Sequence, residues 1–417
     1  MIKEKKTYFF SVFSKITLVI IGLITSALIS RGLGVSLKGE YAYLVNLSGI
    51  VVIVVTLGVG QVYSYFVRQY GTKYRNIFIN LNYLHFVFLI ITLLLFSILK
   101  NNIVKNIVLL SACGMFRDNF VYLSTVENIK KRNIMNLISK SIFLMNIIIA
   151  FLFLKYNLNA FILVLVLDEI IFSLLLIFTY GFFPKKIEIN SLEKNKIIVK
   201  IYKMGFISMI TLLLTTLNYN IDIIILRNLS SSSSVGLYSI GISLANMLWV
   251  IPDAFKDVLM NKTSKEDSIG DIIFSLKSNI LISLIITLGF ILLGKLFITI
   301  VYGSEFLDSY ITTIILFFGS ISMIFHKIIS PLLYSKGYQK KLCIIFLSAV
   351  FLNIVMNYIL IPKFDIIGAA VASVFSYLLA GISILLIFSK MYKLKIKEII
   401  FINRKELLKI KKMIKGA

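Results

Sequence analysis

Charge is what this chain has least of. Only 15% of its 417 residues are Asp, Glu, Lys or Arg, where a soluble protein of this size carries about 25%. With 59% hydrophobic residues and a mean hydropathy of +0.93, a water-soluble globule is excluded and an all-α polytopic membrane protein is indicated. Cysteine is nearly absent too. Cys113 and Cys343 each lie inside an apolar run, so neither a disulfide framework nor a thiolate metal site can be read from them. His85 and His326 are equally isolated and read as packing residues. There are four prolines: Pro184, Pro331 and Pro362 lie near the ends of apolar runs, and only Pro252 falls well inside one. There its missing N–H invites a kink. No nucleophile–base pair, metal cluster or phosphate-cradling glycine loop is visible. The loops on one side are all short, which argues against a membrane enzyme such as a polysaccharide polymerase or an acyltransferase.

What the chain does have is apolar runs of bilayer length, about twenty residues each. They are Tyr8–Ile29, Tyr41–Val67, Ile77–Leu99, Ile103–Leu123, Asn136–Leu154, Leu158–Phe183, Ile198–Leu229, Val235–Leu259, Phe274–Val301, Tyr310–Tyr334, Leu342–Ile361 and Ile366–Tyr392. The first is too long for a signal-peptide core and shows no persuasive cleavage site, so it is expected to be a retained span. The formal net charge of +25 would point to nucleic acid in a soluble chain. Here the Lys and Arg fall between apolar runs, which fits loops facing anionic membrane lipids and no nucleic-acid partner. Their distribution alternates. One set of loops carries Lys3, Lys5 and Lys6, then Arg68, Lys73 and Arg75, then Lys130, Lys131 and Arg132, and so on to Lys336, Lys340 and Lys341; the other set carries only Arg31, Lys38, Lys100, Lys105, Lys155, Arg227 and Lys363. The positive-inside rule then places both termini in the cytoplasm.

Pro184–Asn195 is the most polar interior stretch and divides the spans six and six. The expected organisation is two pseudo-symmetric six-helix bundles, residues 1–183 and 198–392, with a cytoplasmic linker at 184–197 and a basic amphipathic tail at 393–417. Six crossings return a chain to its starting side, so the repeats would be parallel, with a substrate path between them. A sequence echo supports duplication. Arg31-Gly-Leu33 and Gly39-Glu-Tyr41 match Arg227-Asn-Leu229 and Gly236-Leu-Tyr238, with one residue inserted between the halves.

Arg31-Gly-Leu-Gly34 followed by Lys38-Gly-Glu-Tyr41 resembles the first outer hairpin of polysaccharide exporters. Asn218-Tyr-Asn-Ile-Asp222 with Val235-Gly-Leu-Tyr238 looks like their seventh and eighth spans. Tyr302-Gly-Ser-Glu-Phe306, Asn353 and Asn357 before Ile361-Pro362, and Gly368-Ala-Ala370 follow in the same order. Together they resemble the O-antigen-type lipid-linked oligosaccharide flippases of the multidrug/oligosaccharidyl-lipid/polysaccharide exporter superfamily. The resemblance implies V-arranged bundles in a bacterial inner membrane. By alternating access they would move an undecaprenyl-diphosphate-linked oligosaccharide to the outer leaflet for O-antigen, capsule or other surface polysaccharide. Partners would include a polysaccharide polymerase and a chain-length regulator, with H+ or Na+ as coupling ion and no cofactor. The nearest rival is a cation-coupled drug or metabolite antiporter of the same superfamily, which would favour an acidic, aromatic-lined cavity.

Moving a diphosphate through hydrocarbon unaided costs on the order of tens of kcal/mol, so a flippase needs a wet, cationic passage. Basic residues inside or at the margins of spans are Lys15, Arg117, Lys140, Lys203, Lys277, Lys295 and Lys327. Two readings stand for them: snorkelling to the headgroups, favoured for Lys203 and Lys277, or an inner vestibule that captures diphosphate, with Lys15, Arg117, Lys140 and Lys327 as candidates. Arg31 would serve as a receiver at the outer mouth or as a surface charge. Asp168 and Glu169 stand near the middle of the sixth span. One is expected to pair with Arg117 or Lys140, leaving the other for a coupling proton. Asp253 and Asp257 have a local partner in Lys256. The resemblance further implies a sodium site at Asp222, Asn353, Asn357 and Ser373, since some lipid flippases of the superfamily hold a cation between these spans. Oxygen donors suit a hard cation, but interhelical hydrogen bonding of Asn is the competing role.

Overall fold

A computed structural model describes residues 2–97, 102–186, 190–263 and 267–400. The regular elements among them are helices: α1 Ile2–Val55, α2 Tyr63–Tyr70, α3 Arg75–Ser97, α4 Asn102–Phe153, α5 Leu158–Tyr180, α6 Ser191–Leu229, α7 Ser232–Leu248, α8 Val250–Thr263, α9 Ile269–Val301, α10 Ser309–Ser335, α11 Gln339–Tyr392 and α12 Ile396–Ile400. Short 3-10 turns cover Gly60–Val62 and Ser304–Phe306. Three helices run to 52 or 54 residues, about 80 Å if straight at 1.5 Å per residue, whereas a bilayer core is about 30 Å thick. Each is therefore broken once. The breaks are at Gly34 (φ 70°), Asn128 (φ −160°, ψ 92°) and Asp365 (φ 47°). Each falls in the gap expected between two apolar runs.

Among the described residues, eight helices are long and apolar enough to cross a membrane. The three breaks divide these into eleven apolar segments among the described residues, and α3 is a further helix of 23 residues. The chain is a multi-pass helical membrane protein.

Some boundaries differ from expectation. The second apolar run continues to Val67, but α1 ends at Val55 and the chain turns through Leu57 and Gly58, both at positive φ, before α2. The turn is held tightly: a Cβ on Gly58 would lie 2.2 Å from the Gly205 carbonyl oxygen of α6. The eighth crossing breaks at Trp249, three residues before Pro252. Pro252 has no N–H to offer the Leu248 carbonyl, so α7 ends there and the proline sits in the first turn of α8, where its ring is tolerated. In the expected linker, Asn190 caps α6 by accepting from Leu192 N–H at 3.2 Å, so α6 begins inside it. Of the expected tail helix, only α12 lies within the described residues. Its Ile399 is fully buried against Ile272, Leu342 and their neighbours; residues 401–417 lie outside the described part.

The chain forms two compact units, Met1–Ser239 with Val301–Glu305 and Ile240–Ile300 with Phe306–Ala417. In the first, α4 packs along α1, α3 and α5. One end is clamped by Arg75, which meets Glu127 at 2.6 Å and donates to the Tyr180 carbonyl at 2.7 Å. Beyond the spans, a hydrogen bond to Glu193 at 2.7 Å holds the Lys73 ammonium above its usual range. The two copies of the sequence echo also touch here. A Cβ on Gly39 would lie 1.7 Å from the Ser232 carbonyl oxygen, and one on Gly236 would lie 2.0 Å from that of Val35. Each glycine thus faces the carbonyl four positions before the other, a reciprocal contact that only hydrogen side chains permit.

In the second unit α10 packs on α11 and α8. Small residues let the crossings close up: a Cβ on Gly368 would lie 2.4 Å from the Leu360 carbonyl oxygen and one on Gly381 2.2 Å from that of Ser322. In the loop before α9, Asp267 accepts from Lys336 at 2.7 Å and from Tyr392 at 2.8 Å, which holds its carboxyl below the usual carboxylate range.

Candidate functional site

The break at Asn128 folds α4 back on itself, and this builds the main charged cluster of the first unit. Arg117 lies eleven residues before the break and Lys140 twelve after it, so both sit about 17 Å from the turn at 1.5 Å per residue. Asp168 and Glu169 lie twelve and eleven residues before the end of α5 at Tyr180, whose hydroxyl donates to the Asn128 carbonyl. All four therefore meet at one depth. Adjacent residues on a helix point about 100° apart, and α5 uses that. Asp168 reaches the second half of α4, meeting Lys140 Nζ at 2.5 Å and accepting from Ser139 Oγ at 2.7 Å. Glu169 reaches the first half, where Arg117 Nη1 donates to it at 2.6 Å. Asp118, which sequence reasoning passes over, takes the other edge of the guanidinium at 2.8 Å.

Pairing is expected of one of the two carboxylates, and both pair, Asp168 with Lys140 and Glu169 with Arg117. A buried carboxylate without a countercharge is costly, and two cations are within reach of two acids. The cluster is also less cationic than expected, since Arg117 and Lys140 face three carboxylates. Exposure is uneven, however. The side chains of Arg117 and Lys140 are 29% and 30% exposed, those of Glu169 and Asp168 only 9% and 2%. The cations are presented, with two acids held behind them; Asp118 is half-buried alongside Arg117.

The other expected residues fall elsewhere. Lys15 lies on α1 in a stretch whose side chains are outside the described part. Lys38, counted above as a loop charge, is buried with its ammonium 5.3 Å from the Tyr41 ring centre. Lys203 and Lys295 are exposed, as headgroup-reaching side chains would be, but Lys277 is buried. In the second unit Lys327 Nζ meets Asp253 at 2.8 and 3.0 Å and lies 4.8 Å from the Trp249 ring centre. Asp253 therefore bonds an ammonium 74 positions away, which corrects the expectation of a local partner in Lys256. Spacing within α8 could not reveal it.

Asp222 is fully buried in the first unit and accepts from the Tyr238 hydroxyl at 2.9 Å, so the Gly236-Leu-Tyr238 motif supplies a donor for it. Asn353, Asn357 and Ser373 belong to the second unit, where they join Ser376 in a buried polar ladder. Asn357 Nδ2 donates to Asn353 Oδ1 at 2.7 Å, Asn353 Nδ2 to Ser376 Oγ at 3.3 Å, and Ser376 Oγ to the Ser373 carbonyl at 3.0 Å. This is the bonding that ties the two crossings of α11 together.

No family model matches the sequence, and no curated relative does. Solved structures do. The fold is shared with solved structures of a lipid flippase and of MATE transporters. The chain is similar to the lipid II flippase MurJ in an inward closed conformation, with a TM-score of 0.70 and 15% identity over 94% of this chain and 88% of that one. It is also similar to an inward-facing multidrug-resistance MATE transporter of the MOP superfamily (TM-score 0.64, 13% identity, 91% and 94% covered). A point mutant of the MATE transporter VcmN of Vibrio cholerae follows at 0.61, with 12% identity over 94% and 97%.

Proposed function

We propose that the chain is a flippase of a bacterial cytoplasmic membrane, both termini inside. Its substrate would be an undecaprenyl-diphosphate-linked oligosaccharide, moved from the cytoplasmic to the outer leaflet by alternating access. The carrying observation is the polarity of the α4–α5 cluster, with Arg117 and Lys140 partly exposed and Glu169 and Asp168 buried behind them. Buried carboxylates fix the direction of both cations, and a diphosphate, carrying more charge than Asp118, competes with it for the guanidinium. A transporter for cationic drugs needs the reverse arrangement, with acids in front. The likeness to a lipid II flippase supports a lipid-linked substrate, while the MATE neighbours support the alternating-access fold equally well for a drug. The cluster's polarity favours the former.

Deletion of the gene followed by analysis of lipid-linked intermediates tests this. Complete repeat units are expected to accumulate on the cytoplasmic side. Normal surface polysaccharide after a clean deletion would refute the proposal.

A further inference from the structure

Away from the α4–α5 cluster, three turns between crossings line an open, polar cavity of about 380 Å³ in the first unit. Arg31 comes from the turn within α1, Phe151 and Lys155 from the α4–α5 turn, and Tyr302, Ser304 and Glu305 from the turn after α9. The turns are lashed together. Arg31 Nε donates to the Val301 carbonyl at 3.0 Å, and Tyr156 N–H donates to the Gly32 carbonyl at 2.7 Å. Gly303, at φ 110°, gives the last turn a conformation that side chains rarely adopt. Lys155 is exposed, its ammonium 4.5 Å from the Phe151 ring centre. Among the described residues neither Lys155 nor Glu305 has an ion-pair partner.

We infer that this cavity binds the phosphate-bearing head of a hydroxylated lipid or glycan. Arg31 and Lys155 would bind the phosphate oxygens, and Glu305 would accept from hydroxyl groups. The volume lies in the range of small-molecule sites, about 300–1,000 Å³. Two cations against one anion favour a phosphate, and a carboxylate held apart from both is useful only to a ligand that also donates. Turns at the ends of crossings put the cavity at headgroup depth. This inference rests on the flippase reading only for the natural occupant, which would be the phosphorylated glycan head on the side where these turns lie; binding itself is measured without transport.

The test uses the full chain in phosphatidylcholine nanodiscs. In one arm inorganic pyrophosphate is titrated; in the other, phosphatidylglycerol is added to the bilayer and lipid retained on the protein is counted by native mass spectrometry. Lys155→Gln is the cleanest variant, because its ammonium holds no ion pair and its loss leaves the turns tied. It is expected to weaken pyrophosphate binding about tenfold, the weight of one charged hydrogen bond. Glu305→Ala should do the opposite to pyrophosphate, strengthening it about threefold by removing a like charge, while lowering phosphatidylglycerol retention because the headgroup hydroxyls lose their acceptor. A residue that only shaped the turn would not give effects of opposite sign. Response in the pyrophosphate arm alone assigns the site to a soluble phosphate, and response in the lipid arm alone to a headgroup; either supports the inference. Binding that is absent in both arms, or unchanged by both variants while thermal unfolding shows them folded, overturns it.

Discussion

Gly39→Ala is expected to destabilise the protein by about 3 kcal/mol or more, at the upper end of overpacking costs. Its methyl group would stand 1.7 Å from the Ser232 carbonyl oxygen and 2.8 Å from the Gly236 nitrogen. Those are backbone atoms of a packed helix, with no rotamer to yield, so the turn within α1 and the start of α7 must separate. Gly236→Ala meets the Val35 carbonyl at 2.0 Å and should cost as much. Because both substitutions open one contact, the double variant should cost little more than either alone, well short of the sum that independent sites give. Gly22→Ala and Gly49→Ala are the controls. Nothing lies within 4 Å of a Cβ at either, so on a helix they should be neutral or stabilising by up to about 1 kcal/mol. Thermal unfolding in nanodiscs measures all five. Equal midpoints for Gly39→Ala and Gly22→Ala would show that the reciprocal contact is not tight in the membrane.

Much of this fold is legible in the sequence because the membrane forces it. Apolar run lengths and alternating basic loops locate the turns that the structure places at Gly34, Asn128 and Asp365, and the glycine echo is visible in the sequence, although nothing there shows that its copies touch. Other features are not carried by local pattern. The break at Leu57–Gly58 lies inside a continuous apolar run, and the backbone it packs against, at Gly205, is far along the chain. Lys38 reads as a loop charge because spacing does not show that α1 turns before it, at Gly34, and buries it on Tyr41. The α4–α5 cluster is half legible. Equal distances from the Asn128 turn put Arg117 and Lys140 at one depth, but helix rotation decides partners. Asp118 escapes notice because neighbours in sequence do not normally face each other on a helix; a long guanidinium can still curl back to the residue beside it.

Rotation is also what separates a structural from a transporting role for Arg117, and a second large effect tests it. Arg117→Ala should cost about 3–5 kcal/mol, the usual penalty for stranding one member of a buried ion pair, since Glu169 would be left buried opposite an empty space with Asp118 beside it. Arg117→Lys should recover only part, because one ammonium cannot span two carboxylates as the planar fork does. Adding Glu169→Gln to Arg117→Ala removes the stranded charge and should restore most of the stability. Transport must then be read in that refolded double variant. If the guanidinium binds diphosphate, export should stay more than about tenfold below wild type, since a charged hydrogen bond is worth at least that factor, although the fold is recovered. If export returns with stability, Arg117 only holds α4 to α5, and the phosphate contact must be sought at Lys140, whose Asp168 partner can be tested by the same pairing of Lys140→Met with Asp168→Asn.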